Sequence, residues 1–362
     1  VREALRRRGV ADPAAHVAIL TSPDIVYLST VLVKKSPLTP DDIARLAAHA
    51  PAVRQSVLRF PNENGAHEAS PVTKVLRLPD ADLPAWHAAH AYDLRPVVDD
   101  SPFFWHFARF RDAVRSEEAR NALGVHVDLE DLTGERVLLA LLAFTVVFAA
   151  IWLLLPFVAI GPVWRAIPHK ALAAGYFAAL GMGFMFIEVS LIQMLTLFLG
   201  YPSYSLSVTL FGMLVFGGIG SYVSGRYRGG RTRVLLGLLA TIAITTVGYQ
   251  VIIPFIVSHW IGLALPIRGV IATLLIAPLG LSLGAFMPIG LKAVAEQSEH
   301  RREFVAWAWA VNGFLSVISS MLSTILAMIL GFHTLMMVAV LVYAAGIAML
   351  SRIPAAVPAD RG

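Results

Sequence analysis

The sequence contains no cysteine and carries little charge for its length. Its 362 residues include 29 Lys and Arg and 24 Asp and Glu, so charged residues make up 15% of the chain. An ordinary soluble domain has roughly 25%. The absence of cysteine excludes disulfide bonds and thiolate metal sites. His259, His300 and His333 occur singly and without metal-ligand spacing, so the sequence predicts surface histidines in loops and no metal site.

The net charge of +5 does not indicate nucleic-acid binding. Basic residues are not interleaved with aromatic residues along a stripe, which is the pattern typical of single-strand binding. Hydrophobic residues instead make up 57% of the chain, and the mean hydropathy is +0.69. Most charges fall within residues 1–136, whereas residues 137–351 are long uncharged runs separated by short basic loops. The composition therefore predicts a membrane protein whose partner is the lipid bilayer, with no nucleic acid.

Seven apolar segments are long enough to cross a bilayer, which takes about 20 residues. Their predicted ranges are 137–160, 171–198, 204–224, 234–257, 269–290, 304–331 and 334–351. The predicted fold class is a mainly α, multi-span helical membrane bundle preceded by a partial α/β tail. The predicted domains are an α/β remnant, a linker helix, a polytopic transmembrane domain and a C-terminal tail, at 1–110, 111–136, 137–351 and 352–362.

The polar N-terminal part has the features of an incomplete α/β domain. The β-rich runs 16–21 (HVAILT) and 25–34 (IVYLSTVLVK), separated by Ser-Pro-Asp, predict an antiparallel hairpin. A helix is predicted to follow, with Thr39 as its N-cap and Pro40 as its first residue. A further strand (SVLRF) and a helix from 83 to 90 come next. About 100 residues without a complete βαβ series are too few for a whole α/β domain, so a fragment is expected.

Three arginine- and lysine-containing loops fall on the same side of the predicted bundle, at 161–170, 225–233 and 291–303. The opposite loops carry almost no basic residue except Arg268. The positive-inside rule places the basic loops in the cytoplasm and hence residues 1–136 outside. Long domains partly escape this rule, and one span fewer would reverse the assignment, so both orientations stay open.

Glu188 lies in the middle of the second predicted span. A charged group inside hydrocarbon is costly, so an intramembrane carboxylate is a functional hypothesis by default. Two hypotheses follow for Glu188. It binds a substrate or couples to proton movement, or it has a purely structural role in which its carboxyl is protonated and hydrogen-bonded. Gln193 is a second candidate, but it lies about 140° around the helix from Glu188, so the two need not share a pocket. Small residues recur at every fourth position of this span and predict close helix packing, at Ala171, Gly175, Ala179 and Gly183.

A polar stripe follows one side of the sixth predicted span, at Asn312, Ser316, Ser320 and Thr324, with Ser319 and Ser323 beside it. Such a stripe forms interhelical hydrogen bonds or, less commonly, the wall of a hydrated cavity. Trp307 and Trp309 precede it. Asn312, Ser316 and Trp309 are therefore candidate substrate-binding residues, and Glu188 is expected to pair with Asn312 and Ser316.

Asp99 and Asp100 form an acidic pair ahead of Ser-Pro and an aromatic run. Such a pair can bind a metal or an amine. It is also common turn chemistry, here followed by an aromatic anchor for the membrane face.

Several of these motifs resemble one known family. The runs FMFIEVSLIQMLTLFLGYPSYSLSVTLFGMLVFGGIGS, GAFMPIGLK and AWAWAVNGFLSVISS resemble the C-terminal membrane region of bacterial polytopic spermidine-synthase-like proteins. HVAILTSPDIVYLSTVLVKKSPLT resembles the closing strands of their aminopropyltransferase-type domain, a Rossmann-like fold of the S-adenosylmethionine-dependent transferase class. VVDDSPFFWHFARF resembles the junction between the two parts.

The resemblance implies a multi-pass protein of the bacterial inner membrane. Its membrane module would anchor a transferase domain, or bind and pass a small cationic or lipidic substrate. An S-adenosylmethionine-type nucleoside would bind upstream, because the glycine-rich turn and the catalytic aspartate loop of the family do not occur in this chain. We therefore expect no cofactor in this fragment and assign no catalytic residue to it. Polyamine synthesis or methyl transfer would require the fragment to be joined to the upstream transferase domain.

A second resemblance gives the alternative function. Residues 220–231, GSYVSGRYRGGR, are similar to the loop between spans two and three of major-facilitator transporters, although the acidic residue of that loop is missing. The alternative hypothesis is thus a secondary transporter with a degenerate soluble appendage. A third hypothesis is that the membrane part serves only as a structural anchor.

Overall fold

The computed structural model describes residues 1–22, 29–61, 71–90, 92–104, 106–122, 132–159, 168–227, 230–297 and 299–354. The chain separates into two compact units, Val1–Leu94 and Arg95–Gly362. Each unit has its own hydrophobic core, so each is described by itself.

The N-terminal unit contains a three-stranded sheet formed by β1 (Val17–Thr21), β2 (Ser29–Val33) and β3 (Ser56–Arg59). The strand order is β2-β1-β3, and both pairings are antiparallel. Alternate residues of the central strand β1 enter two different apolar clusters, one on each face of the sheet. Because it is covered on both faces, β1 is apolar throughout its first four residues, VAIL. The predicted hairpin and the predicted SVLRF strand are confirmed.

The Rossmann-like assignment of this unit is wrong for the described residues. A Rossmann fold has a mostly parallel sheet with helical crossovers, whereas β1 is antiparallel to both of its neighbours. The segment between β1 and β2, residues 22–28, is long enough for a hairpin. It is too short for a parallel crossover, which takes a dozen or more residues. The small sheet stays compatible with a partial α/β tail. Its helices are α1 (Arg2–Arg7), α2 (Pro40–His49), α3 (Pro71–Arg77) and α4 (Leu83–Ala89).

Helix α2 begins with the predicted cap. The Thr39 hydroxyl accepts a hydrogen bond from the Asp42 main-chain N–H at 3.2 Å, and the Asp42 carboxylate accepts one from the Thr39 N–H at 2.9 Å. This reciprocal pair is a capping box. The Lys34 ammonium donates to the same carboxylate at 2.5 Å. The hydrogen bond from Lys34, followed by those from Thr39, holds the pKa of Asp42 well below its ordinary value.

The C-terminal unit begins with two short helices, α5 (Phe110–Ala113) and α6 (Glu117–Ala122), in the region predicted as one linker helix. Seven longer helices follow, each long and apolar enough to cross a membrane. They are α7 (Thr133–Ala159), α8 (Lys170–Leu199), α9 (Pro202–Ser224), α10 (Arg231–Trp260), α11 (Leu265–Ala295), α12 (Arg301–Leu330) and α13 (Phe332–Ser351). The chain is therefore a multi-pass membrane protein, and the seven predicted spans are all found among the residues that the structure describes.

Helix α8 lies at the centre of the bundle and packs against all five spans that follow it. Its small residues allow this, as the sequence predicts. A Cβ on Gly183 would lie 2.5 Å from the Tyr343 ring, and a Cβ on Gly175 would lie 2.1 Å from the Met349 sulfur. The Tyr343 ring is rigid and buried, so the position of Gly183 favours glycine, whereas the flexible Met349 side chain could shift away from Gly175; in both places α13 packs on the backbone of α8.

Helices α9 and α11 run parallel and approach each other through glycines. A Cβ on Gly284 would lie 2.0 Å from the main-chain oxygen of Gly217, and a Cβ on Gly220 would lie 2.0 Å from that of Leu281. Gly280 and Gly284 form the GxxxG spacing that lets membrane helices meet backbone to backbone. The two helices therefore form one tightly packed pair beside α8.

Buried tyrosine hydroxyls connect four of the spans. A phenol in an apolar interior needs a hydrogen-bond acceptor, and in a helical bundle the available acceptors are main-chain carbonyls of neighbouring helices. The three pairs are Tyr176 with Phe286 at 2.7 Å, Tyr249 with Leu275 at 2.6 Å and Tyr343 with Leu180 at 3.4 Å.

Candidate functional site

A cavity of about 650 Å³ lies at one end of the helical bundle. It is bounded by the last turns of α8 and α10, the first turns of α11 and α13, and the segment before α5. Its polar lining residues are Asp99, Gln193, Thr196, Ser258, Arg268 and His333. Its walls are mainly apolar, from Met194, Leu197, Ile253, Pro254, Val257 and Ile261. This volume, with a few convergent polar groups on apolar walls, is typical of a small-molecule site.

The cavity contains Gln193 but not Glu188. Both residues lie on α8, and five intervening steps of the helix turn them about 140° apart. Glu188 and Gln193 therefore do not share this cavity, in agreement with their predicted angular separation on the helix. Of the sequence-predicted candidates, Gln193 and Asp99 are brought together in the cavity lining.

Arg268 is the cation of the cavity. Its Nη1 donates a hydrogen bond at 2.7 Å to the main-chain oxygen of Phe198, next to the last residue of α8. The last carbonyls of a helix have no donor within the helix and carry partial negative charge, so a guanidinium there is doubly favourable. The Nε of Arg268 is buried and has no hydrogen-bond partner among the described residues. No carboxylate forms an ion pair with this guanidinium within the described part of the chain.

Asp100 caps the last span instead of lining the cavity. Its carboxylate accepts a hydrogen bond from the His333 main-chain N–H at 2.7 Å and lies 2.6 Å from the Nδ1 of the His333 ring. Its main-chain oxygen accepts from the Phe332 N–H at 3.0 Å. Residues 98–101 form the tight turn that presents it, closed by the Val98–Ser101 bridge. His333, which the sequence analysis places in a surface loop, is thus the second residue of α13.

Gly331 leaves room for this cap. Its φ of 83° lies in the left-handed region, and a Cβ there would lie 2.2 Å from an oxygen of the Asp100 carboxylate. Any other residue at this position would strain the backbone and displace the capping carboxylate. The two acidic neighbours therefore have different surroundings: Asp100 binds a helix terminus, while Asp99 is exposed and lines the cavity.

The polar face of α12 packs on α8 with a register that separates Glu188 from Asn312. The Asn312 amide donates to the Phe177 main-chain oxygen at 3.2 Å, and a Cβ on Gly181 would lie 2.9 Å from the Ser316 hydroxyl. Both helices advance by one turn between these contacts, so they run parallel. Glu188 is buried about 10 Å further along α8, within about 20° of the face of Gly181. The expected pairing of Glu188 with Asn312 and Ser316 is therefore wrong.

Ser319 and Ser323 continue the buried polar face of α12. Both are fully buried, whereas Ser320 and Thr324, which the sequence pattern favours, are only partly buried. Ser323 lies two turns beyond Ser316 on α12, and Glu188 lies two turns beyond Gly181 on α8. Because the helices are parallel and Ser316 lies beside Gly181, Ser323 and Glu188 are at about the same level. The Ser323 hydroxyl donates to the Ser320 carbonyl at 2.8 Å, and the buried Ser319 hydroxyl has no hydrogen-bond partner among the described residues.

The remaining candidate, Trp309, points out of the bundle and is 56% exposed. Its neighbour Trp307 is buried and packs against Phe304 with ring centroids 5.8 Å apart. Two positions along a helix turn a side chain through about 200°, which accounts for the difference.

Sequence reasoning missed Arg268 and His333 as site residues. For Arg268 a signal was present, since it is the basic residue of loops that otherwise carry almost none. Sequence reasoning also missed a buried pair at the start of α7, where the His106 Nδ1 lies 2.8 Å from the Glu135 carboxylate. Within the described ranges, no group of three or more His, Asp or Glu side chains is arranged to hold a metal ion.

Comparison with protein-family models, with curated proteins and with solved structures found no match to this chain.

Proposed function

We propose that this chain is the membrane module of a bacterial spermidine-synthase-like protein of the inner membrane. In this proposal, the module binds a small substrate in the cavity between α8, α10, α11 and α13. The family, the upstream transferase domain and its S-adenosylmethionine-type nucleoside rest on the motif resemblance. The binding role rests on the cavity.

The lining of the cavity supports binding more than simple anchoring. An anchor needs apolar helices that pack together, and polar side chains at the bundle end could then all face water. Here Gln193 and Arg268 line one space, and within the described residues no carboxylate forms an ion pair with the Arg268 guanidinium. A cation without a counter-charge is stabilised by an anionic or polar ligand. The Arg268 side chain thus favours a bound polar group.

The mostly apolar walls favour a substrate that also has an apolar part. Leu197, Ile253 and Val257 provide that surface at the end of the spans, where the bilayer boundary lies. The chain's own residues would bind and orient such a substrate: Arg268 and Gln193 would hold its polar end, and the α10 residues its apolar end.

The test is native mass spectrometry of the detergent-purified chain, with phospholipids and spermidine as probes. Val257→Trp places a large ring in the cavity wall and is expected to remove bound molecules. Leu214→Trp is the matched control, since Leu214 is 75% exposed on the lipid side of α9. Equal retention of bound molecules by both variants would contradict binding in this cavity.

A further inference from the structure

We propose that the cavity binds a zwitterionic lipid, whose phosphate lies at Arg268 and whose primary amine lies at Asp99. A phosphate ester bearing an amine, as in phosphatidylethanolamine, has this chemistry. The inference rests on the proposed binding function and names its ligand class.

The phosphate position follows from the hydrogen-bonding state of Arg268. A guanidinium has five N–H donors in a rigid fork that matches phosphate oxygens. The Phe198 carbonyl accepts a hydrogen bond from Nη1 at 2.7 Å. That carbonyl carries only partial negative charge, so the cation still lacks a full counter-charge. A phosphate bound to the guanidinium from the cavity would provide that charge.

The amine position follows from the difference between the two neighbouring acids. The Asp100 carboxylate is already engaged, since it accepts a hydrogen bond at the α13 N-terminus and lies 2.6 Å from the His333 ring nitrogen. Asp99 lines the cavity and has no ion-pair partner among the residues that the structure describes. A purely anionic ligand would meet repulsion from Asp99, and a polycation such as spermidine would meet it from Arg268. A ligand with one charge of each sign satisfies both.

The expectation that the ligand also has an apolar part follows from the apolar walls of the cavity and from its location at the end of the membrane spans. Leu197 and Val257, with the other apolar residues of the walls, offer a surface suited to hydrocarbon. The cavity lies at the end of membrane spans, where lipid head groups are found. A lipid therefore fits the cavity better than a free head group, because acyl chains can pack against α10.

The test measures binding of lipids with identical acyl chains to the purified full chain, by native mass spectrometry. Phosphatidylethanolamine is compared with phosphatidylglycerol, which lacks the amine, and with free phosphoethanolamine, which lacks the chains. We expect phosphatidylethanolamine to bind best. Arg268→Gln should weaken it about tenfold or more, the value of one charge-assisted hydrogen bond. Asp99→Asn should remove the preference over phosphatidylglycerol.

Arg226→Gln is the control, because Arg226 is an exposed arginine at the opposite end of the bundle. Arg268→Lys covers the case that Arg268→Gln unfolds, since lysine keeps the charge but loses the fork. It should bind more weakly than wild type.

Three results would overturn the inference while leaving the proposed function intact. These are lipid binding that Arg268 and Asp99 do not affect, preferred binding of spermidine, or equal binding of free phosphoethanolamine and the lipid. Failure of every probe to bind the wild-type chain would overturn the proposed function itself.

Discussion

The side-chain amide of Asn312 donates to the main-chain oxygen of Phe177 at 3.2 Å. This contact fixes the register of α12 on α8, and it places Asn312 well away from the level of Glu188. In this register the C-terminal half of α12, where Ser319 and Ser323 are fully buried, lies at the level of Glu188. Glu188 and the cavity lined by Gln193 therefore lie on different sides of the same helix.

This separation predicts the behaviour of Glu188→Gln. The substitution keeps the size of the side chain and removes its charge and proton. We expect the variant to fold in the membrane and to bind phosphatidylethanolamine with wild-type affinity, because Glu188 does not line the cavity. Gln193→Leu is the matched change on the cavity side of α8 and should weaken binding. The prediction is wrong if native mass spectrometry shows that Glu188→Gln loses the lipid.

Asp99 and Asp100 are predicted to have opposite roles. Asp100→Ala removes the cap of α13 and should lower the free energy of unfolding by about 0.5–2 kcal/mol, the usual value of such a cap. Asp99→Ala should leave stability near that of the wild type, because Asp99 is exposed and caps no helix in the described part of the chain. The measurement is thermal unfolding in detergent. A larger loss of stability for Asp99→Ala than for Asp100→Ala would contradict the assignment.

Helix packing predicts different effects for glycines of the α9–α11 pair. Gly284→Ala would bring a methyl group against the Gly217 backbone oxygen, which cannot rotate away. We expect a loss of about 1–3 kcal/mol in stability, the usual cost of overpacking. Gly218→Ala is the control, since a Cβ there would meet no atom within 4 Å. Retention of wild-type stability by Gly284→Ala in the same unfolding assay would count against the close approach.

The basic loops predict the orientation of the bundle. Gly225 lies at the end of the bundle with the arginine-rich loop, and Gly262 lies in the opposite loop between α10 and α11. Because the chain has no cysteine, single-cysteine variants give clean labels. Under the positive-inside rule, Gly225→Cys should react with an impermeant maleimide only after cells are opened, and Gly262→Cys in intact cells. The reverse pattern would invert the topology and place the cavity on the cytoplasmic side.

Much of the architecture was predictable because it depends on local pattern. The length of each apolar run sets a membrane span, so all seven spans were found with ends near those observed. The β1–β2 hairpin and the Thr39 cap follow from short-range turn and capping chemistry. Gly175 and Gly183 signalled close packing, since small residues on one helix face serve little other purpose.

Only the tertiary structure decided which of these helices meet, and in what register. The antiparallel β1–β3 pairing, which leaves the described sheet without the parallel order of a Rossmann fold, joins strands distant in sequence. The cavity likewise gathers Asp99, Gln193, Arg268 and His333 from four separated segments. The sequence identified Glu188 as an unusual carboxylate but not its neighbours. Helical periodicity fixes the angle of a side chain around its own axis, whereas the axial shift between two helices depends on how their whole surfaces pack.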